Sequence, residues 1–316
     1  MRKVVVNICI FLGVWGAALY WLDYIVNKGL RTCNYSESCF SDVYNSRVNA
    51  DVLVLGASTA KMNYSPRVLD SILHINCYNI GMMGWRFHLE NMLFNIYLQH
   101  NKKPKYVIHD IHSNFLETKI EIPDRKEYVP YANDSTLLRY TEGYDGSFSF
   151  AQRKFPLFAY NNNFNYVKMG VKSYFHIGHQ PPPMTYKGYY PYLESFDGSF
   201  AAYKKIFPNG VEYVINDTLK REFYDYLRHC RDENIKVILV VSPVFYEQTQ
   251  MVHNIAEIRG VMRQIARDNN IPLLDYTDDT MCFNKDHFIN SQHLNIRGSE
   301  KFSQKLANDL QPYIHI

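Results

Sequence analysis

Hydrophobic and polar positions divide the chain into stretches of different rhythm. From Val4 to Leu22, nineteen residues run with a single polar member, Asn7. An apolar helix of that length crosses a bilayer. Arg2 and Lys3 precede the run and Asp23 follows it. That asymmetry predicts a cytoplasmic N-terminus, with the rest of the chain in the periplasm or outside the cell. Gly16-Ala17-Ala18 offers a cleaved signal peptide as the alternative. The apolar run continues through Leu19 to Leu22 with interfacial aromatics, which favours an uncleaved anchor. The pattern thus predicts an anchor over 1–27, a polar juxtamembrane segment over 28–50 and one globular domain over 51–316.

Past residue 50 the periods alternate. Asp51 to Leu55 carries four aliphatics and reads as a buried strand. It breaks at Gly56, and a turn of small residues holding Ser58 feeds a helix predicted from Ser65-Pro66, where proline suits the first helical position. Ile75 to Ile80 is a second strand ending in Gly81-Met82-Met83-Gly84, and Trp85 to His100 is an amphipathic helix. Pro104 to Ile111 is a third strand running into His112-Ser113-Asn114. Strand, helix, strand, helix, strand is the opening of a doubly wound parallel sheet. Residues 117–215 lose that alternation and are rich in Tyr, Phe, Asn, Gly and Pro. So long a stretch reads as an insertion, either a lid or substrate platform or a structural excursion covering the sheet. The rhythm resumes with a helix over Thr218 to Asn234, a strand over Lys236 to Val241, a helix over Met251 to Asn269, a short strand over Pro272 to Asp275 and a last helix from Ser299 to about Tyr313. The fold predicted is a flavodoxin-like three-layer α/β/α domain with a mainly parallel five-stranded sheet.

Composition narrows the chemistry. A net charge of +3 without a long basic run leaves no electrostatic footprint for nucleic acid. Aromatic residues make up 15%, with 26 Tyr against 3 Trp. Tyrosine suits stacking on sugars but equally builds cores, so Tyr186 and Tyr189 are candidates for substrate contact or for insertion packing. Cys33 and Cys39 flank a five-residue loop that an oxidising compartment would allow to close. No Cys/His spacing resembles a metal site, and no cofactor is expected.

Four loops collect the groups that acyl transfer needs. Ser58 follows the first strand, Gly84 the second and Asn114 the third, while His293 precedes the last helix. Parallel strands end on one edge of their sheet, where such folds bind ligands, so these residues can converge. Ser58 would attack and His293 would take its proton. The N–H groups of Ser58 and Gly84 and the Asn114 amide would face the oxyanion. The bland readings are a helix cap for Ser58, tight turns for the glycines, a turn or cap residue for Asn114 and a satisfied core histidine for His293. Lys61 and Arg86 read as solvated positions near the site, and His109 and Asp110 as structural polar contacts.

These blocks resemble the SGNH (GDSL-like) hydrolases. Gly56-Ala57-Ser58 looks like the nucleophile block, Asn79-Ile80-Gly81-Met82-Met83-Gly84 the block ending in the oxyanion glycine, Val107 to Asn114 the strand ending in the oxyanion asparagine, and Asn290-Ser291-Gln292-His293 the final Asp-x-x-His block. With its anchor, the chain further resembles the membrane-tethered branch that includes DltD-like and alginate O-acetylation proteins. That resemblance implies ester hydrolysis or O-acyl transfer on an acylated envelope polysaccharide through an acyl-serine, without a metal. A membrane-bound acyl donor protein is an implied partner. Asn290 departs from the pattern, standing where the family has aspartate. An amide oxygen can orient the imidazole but offers it no charge. Either a carboxylate reaches His293 (Asp286 first, then Asp279 or Asp278), or a dyad works alone, or the scaffold is inactive and serves glycan binding or assembly.

Overall fold

The computed structural model describes residues 1–32, 39–160, 163–178 and 185–315. In chain order its elements are helices α1 (Arg2–Leu30) and α2 (Phe40–Tyr44), strand β1 (Val52–Gly56), helices α3 (Ser58–Asn63) and α4 (Pro66–Leu73), strand β2 (Cys77–Asn79), helix α5 (Phe87–His100) and strand β3 (Tyr106–Asp110). Four helices follow: α6 (Ser135–Thr141), α7 (Phe150–Lys154), α8 (Phe164–Tyr174) and α9 (Ser199–Ile206). The chain then runs through α10 (Asp217–Asp232), β4 (Lys236–Val241), α11 (Tyr246–Gln250), α12 (Ile255–Asn269), β5 (Leu273–Asp275) and α13 (Ile296–Leu310). Two compact units divide it: Met1–Ser41 with Ile120–Met184, and Asp42–Lys119 with Thr185–Ile316.

The second unit holds the sheet. Its strands order as β2-β1-β3-β4-β5, every neighbouring pair parallel. This is the doubly wound arrangement, and the order reverses between β1 and β3, which opens a crevice at their carboxyl ends. All five residues of β1 and of β3 are buried, as expected of strands covered on both faces. Val52, Val54, Ile108 and Val240 pack with Phe302, Leu306 and Leu310 of α13 in one core layer. Around His109, rings from α5 and α10 close in: Phe87, Phe223 and Tyr226 stand 5.3–6.0 Å from its centroid.

Three element boundaries differ from the sequence reading, each for a local reason. The first helix begins at Ser58 itself and is interrupted at Tyr64-Ser65, because a residue before proline is pushed out of the helical region; Ser65 has ψ 107° ahead of Pro66. The helix expected from Met251 starts four residues late, at Ile255, because the separate short helix α11 ends at Gln250 and a turn through Met251–Asn254 intervenes. The last helix starts three residues early, at Ile296, where the Asn295 side chain accepts from the Gly298 N–H at 3.0 Å.

The 117–215 stretch contains helices that its composition hid. Its 120–184 portion belongs to the first unit with α1, and the remainder to the sheet-bearing unit. In the first unit α8 crosses α1 at two glycines, so close that a Cβ on Gly29 would lie 1.8 Å from the Gly170 carbonyl oxygen. The 18-residue window of α1 that is apolar enough to cross a membrane has none of its residues buried. The proposed Cys33–Cys39 loop lies outside the described residues.

Candidate active site

The structure places Ser58 at the first position of α3, and the turn before it is set by close packing. Gly56 has φ +148°, and a Cβ there would meet the Asp110 carbonyl oxygen at 2.7 Å and the Ala60 Cβ at 2.9 Å. The Asp110 carbonyl cannot move without shifting the β1–β3 pairing of Gly56 with Asp110, and Ala60 cannot move without shifting α3. We expect Gly56→Ala to cost about 1–3 kcal/mol as an overpacked, left-handed position, read as a lower urea midpoint.

Beneath the turn, the buried Asp110 carboxylate accepts from the Thr59 hydroxyl, from Tyr64 Oη at 2.5 Å and from the Ser242 N–H at 3.1 Å. Burial pushes its pKa up to about 6, against the opposing pull of those donors. One side chain thus binds α3 to the ends of β3 and β4. Asn79 braces α3 from the other side, donating to the Ala60 and Tyr64 carbonyls at 2.7 and 3.1 Å.

The last turn of α3 reaches the histidine loop. The Asn63 Oδ1 accepts from the Leu294 N–H at 3.0 Å, and the Ser65 N–H donates to Ser303 Oγ at 2.8 Å. His293 is thereby held over α3, with Nε2 2.8 Å from Ser58 Oγ. Its other nitrogen, Nδ1, lies 3.0 Å from Asn290 Oδ1. The direction of these bonds follows from the neighbours. The same Asn290 oxygen receives the backbone N–H groups of Gln292 and His293, each at 3.0 Å. Both are obligate donors, so the accepting atom is the amide oxygen and not the amide nitrogen. An oxygen there requires Nδ1 to carry its proton. Nε2 is then the bare nitrogen, and the Ser58 hydroxyl donates to it.

Enclosure of the ring lowers the His293 pKa to about 4, opposed by the charge of Asp197. The imidazole is therefore neutral and able to accept a proton throughout the neutral range. As a base it works only when unprotonated, so kcat/KM should hold down to about pH 5 and fall as pH drops through about 4. A histidine at its ordinary value would place the acid limb near 6.5. A pH–rate profile distinguishes the two.

None of Asp286, Asp279 and Asp278 contacts His293 among the described residues. Asp286 is exposed in a one-turn 3-10 helix. Asp279 caps the next such turn, accepting from the Met281 N–H at 2.9 Å, and Asp278 is held 2.6 Å from Arg259. The carboxylate whose charge reaches the ring is Asp197, from the stretch where sequence reading found no pattern. Its backbone N–H bonds the Ile289 carbonyl at 2.7 Å.

Ser58, Gly84 and Asn114 line one cavity of about 580 Å³. The Ser58 N–H opens α3 and so has no carbonyl one turn back to pair with. Gly84 takes φ +71°, and the Asn114 amide stands 3.5 Å from Glu117 Oε2. His112 also lines the cavity; burial and the Arg86 charge push its pKa down to about 3. Val241, Val244, Val252, Ile255 and Met262 form an apolar portion of the wall. Arg86 sits in the wall paired with Glu117 at 3.3 Å. Lys61, read from sequence as solvated, is 2% exposed.

Tyr186 and Tyr189 are not among the residues lining this cavity. Their segment covers the outer edge of β2, with the Lys187 carbonyl accepting from the Asn79 N–H at 2.9 Å and Gly188 packed against the Asn79 carbonyl. The Tyr189 ring is buried and its hydroxyl lies 2.6 Å from Ser299 Oγ. Covering an edge strand is a structural task. Asp110, read from sequence as a structural polar contact, is one, whereas nothing in the sequence marks Asn63 as a positioning residue, because its side-chain partner Leu294 lies 231 positions away. The described residues contain no cluster of three metal-ligating side chains.

No family model matches the chain, and no curated protein matches it. Solved structures do. A candidate acylhydrolase from Bacteroides fragilis aligns with 87% of this chain and 97% of its own at 11% identity and a TM-score of 0.41. A Streptococcus pneumoniae protein described as a candidate platelet activating factor covers 98% of this chain and 99% of its own at 12% identity, with a TM-score of 0.38. Scores so low do not bear on chemistry, which stands on the distances above.

Proposed function

We propose that the protein is a serine-dependent ester hydrolase or O-acyltransferase, tethered by α1 and acting on acylated envelope polysaccharide. The observation that carries the enzymatic part is the 2.8 Å contact between Ser58 Oγ and a His293 Nε2 that Asn290 obliges to be an acceptor. His293 takes the hydroxyl proton as Ser58 Oγ bonds to the ester carbonyl carbon. The tetrahedral oxyanion is met by the N–H groups of Ser58 and Gly84 and the Asn114 amide, and one such donor contributes about 2.7–4 kcal/mol. Collapse expels the alcohol, which takes the proton from His293, and leaves acyl-Ser58. Water or a sugar hydroxyl then attacks by the reverse sequence. The residues use no metal or cofactor in this scheme. The glycan substrate, an acyl donor partner in the membrane and an extracytoplasmic setting rest on the anchor-like α1 and on the resemblance of the four sequence blocks.

Asn290 favours one competing reading, a scaffold that binds glycan without turning it over. Mass spectrometry after brief exposure to an activated acyl ester separates the two. One acyl group on the peptide containing Ser58 supports the enzyme. A protein that stays unmodified yet retains polysaccharide supports the scaffold.

A further inference from the structure

The first unit leaves several large apolar side chains uncovered by its own fold. Phe150, Phe155, Phe158, Phe175 and Ile177 are each between 50% and 65% exposed. Large exposed aromatics in a contiguous stretch mark a surface meant to meet something. Between residues 150 and 178 the chain has four cations, Arg153, Lys154, Lys168 and Lys172, and no acidic residue.

The position of this face along α1 identifies its partner. The Tyr20 hydroxyl donates to the Lys154 carbonyl at 3.2 Å, the Leu157 N–H to Asp23 Oδ1 at 2.7 Å and the Tyr160 hydroxyl to Asn27 Oδ1 at 2.8 Å. The Tyr174 ring, next to Phe175, packs 6.5 Å from Tyr24. The contacts of residues 154–160 and of Tyr174 thus lie between residues 20 and 27, where the apolar run of α1 ends at Leu22, while Gly170 meets α1 further on, at Gly29. At 1.5 Å per residue the first set falls within about 8 Å of that end along the helix axis and the glycine crossing about 10 Å beyond it. The headgroup layer on each side of a bilayer is about 5–7 Å thick.

We propose that the segments 150–160 and 163–178 form a membrane-surface platform, lying against the headgroup layer of the bilayer that α1 crosses. Its phenylalanines enter the acyl boundary and its four cations face anionic phospholipid headgroups. Exposed aromatic rings and basic side chains in a segment with no acidic residue are the composition that lies in an interface. The proposal rests on α1 being a membrane anchor.

The test uses the full chain in vesicles containing brominated phosphatidylcholine, and it reads tryptophan quenching. In the native protein, quenching of Trp15 and Trp21 reports the anchor, and Trp85, buried at 1%, supplies the unquenched background. Trp15→Phe, Trp21→Phe and Phe155→Trp combined then report the platform. The expected result is quenching by bromine placed shallow in the chains roughly twofold greater than by bromine placed deep, as fits a ring 5–10 Å into the boundary. Adding phosphatidylglycerol should increase it, and Lys154→Glu with Lys172→Glu should remove that increase. If Phe155→Trp emission stays unquenched while Trp15 and Trp21 are quenched, the platform is overturned and the anchor stands. If Trp15 and Trp21 are themselves unquenched, both fall. A blue shift of Phe155→Trp emission without any bromine dependence also overturns the platform, since a second copy or another protein then covers the face.

Discussion

Ser58→Ala should reduce ester hydrolysis by about four to six orders of magnitude, the range that removal of a serine nucleophile produces in proteases of other folds. The size follows from the geometry. The only hydroxyl hydrogen-bonded to His293 Nε2 among the described residues is that of Ser58, so no neighbour stands ready to replace it. Fluorophosphonate labelling should disappear in the same variant. Structure should survive, because Ser58 holds no core position and the α3 braces run through Asn63, Asn79 and Asp110. Equal labelling of wild type and Ser58→Ala would end the nucleophile assignment.

Asn290→Asp should act in the opposite direction. The carboxylate would receive the same three donors that now converge on the amide oxygen, the N–H groups of Gln292 and His293 and the Nδ1–H. A negative charge at 3 Å stabilises imidazolium, so the His293 pKa should rise from its depressed value of about 4 toward the ordinary histidine range. Two readouts follow. The acid limb of kcat/KM moves up in pH, and the rate on its plateau rises by on the order of a hundredfold or more, bounded by the ten-thousandfold effect of the reverse change in a serine protease. An unchanged limb and an unchanged rate would show that His293 is not the base. Because the gain does not require an active starting enzyme, even a scaffold with the site intact should become measurably active.

The sheet and the two ends of this site were legible because they depend on local pattern. The unbroken aliphatic run of β1, the glycine that ends it and the Asn-x-x-His block before α13 each announce themselves within a few residues. Parallel pairing followed from the alternation of periods. What could not be read was long-range. Nothing near Asp110 in sequence reveals that Tyr64 and Ser242 will meet its carboxylate, and nothing near Asp197 reveals that its charge will reach His293. The 120–184 stretch defeated pattern reading for another reason. Its helices are short, and much of their apolar surface is left exposed, so no amphipathic period develops. Tyr186 and Tyr189 looked available for sugar because aromatic composition says nothing about which face a ring will cover; here Lys187 and Gly188 between them lie on the edge strand β2.

The hydrogen bond from the Leu294 N–H to Asn63 has a consequence for biosynthesis. The nucleophile's helix is complete early in translation, yet the loop that holds its base is made more than two hundred residues later. On the proposed function, a nascent chain has a serine without its proton acceptor until Leu294 has emerged and folded back onto α3, so shortened products ending before it should show no esterase activity.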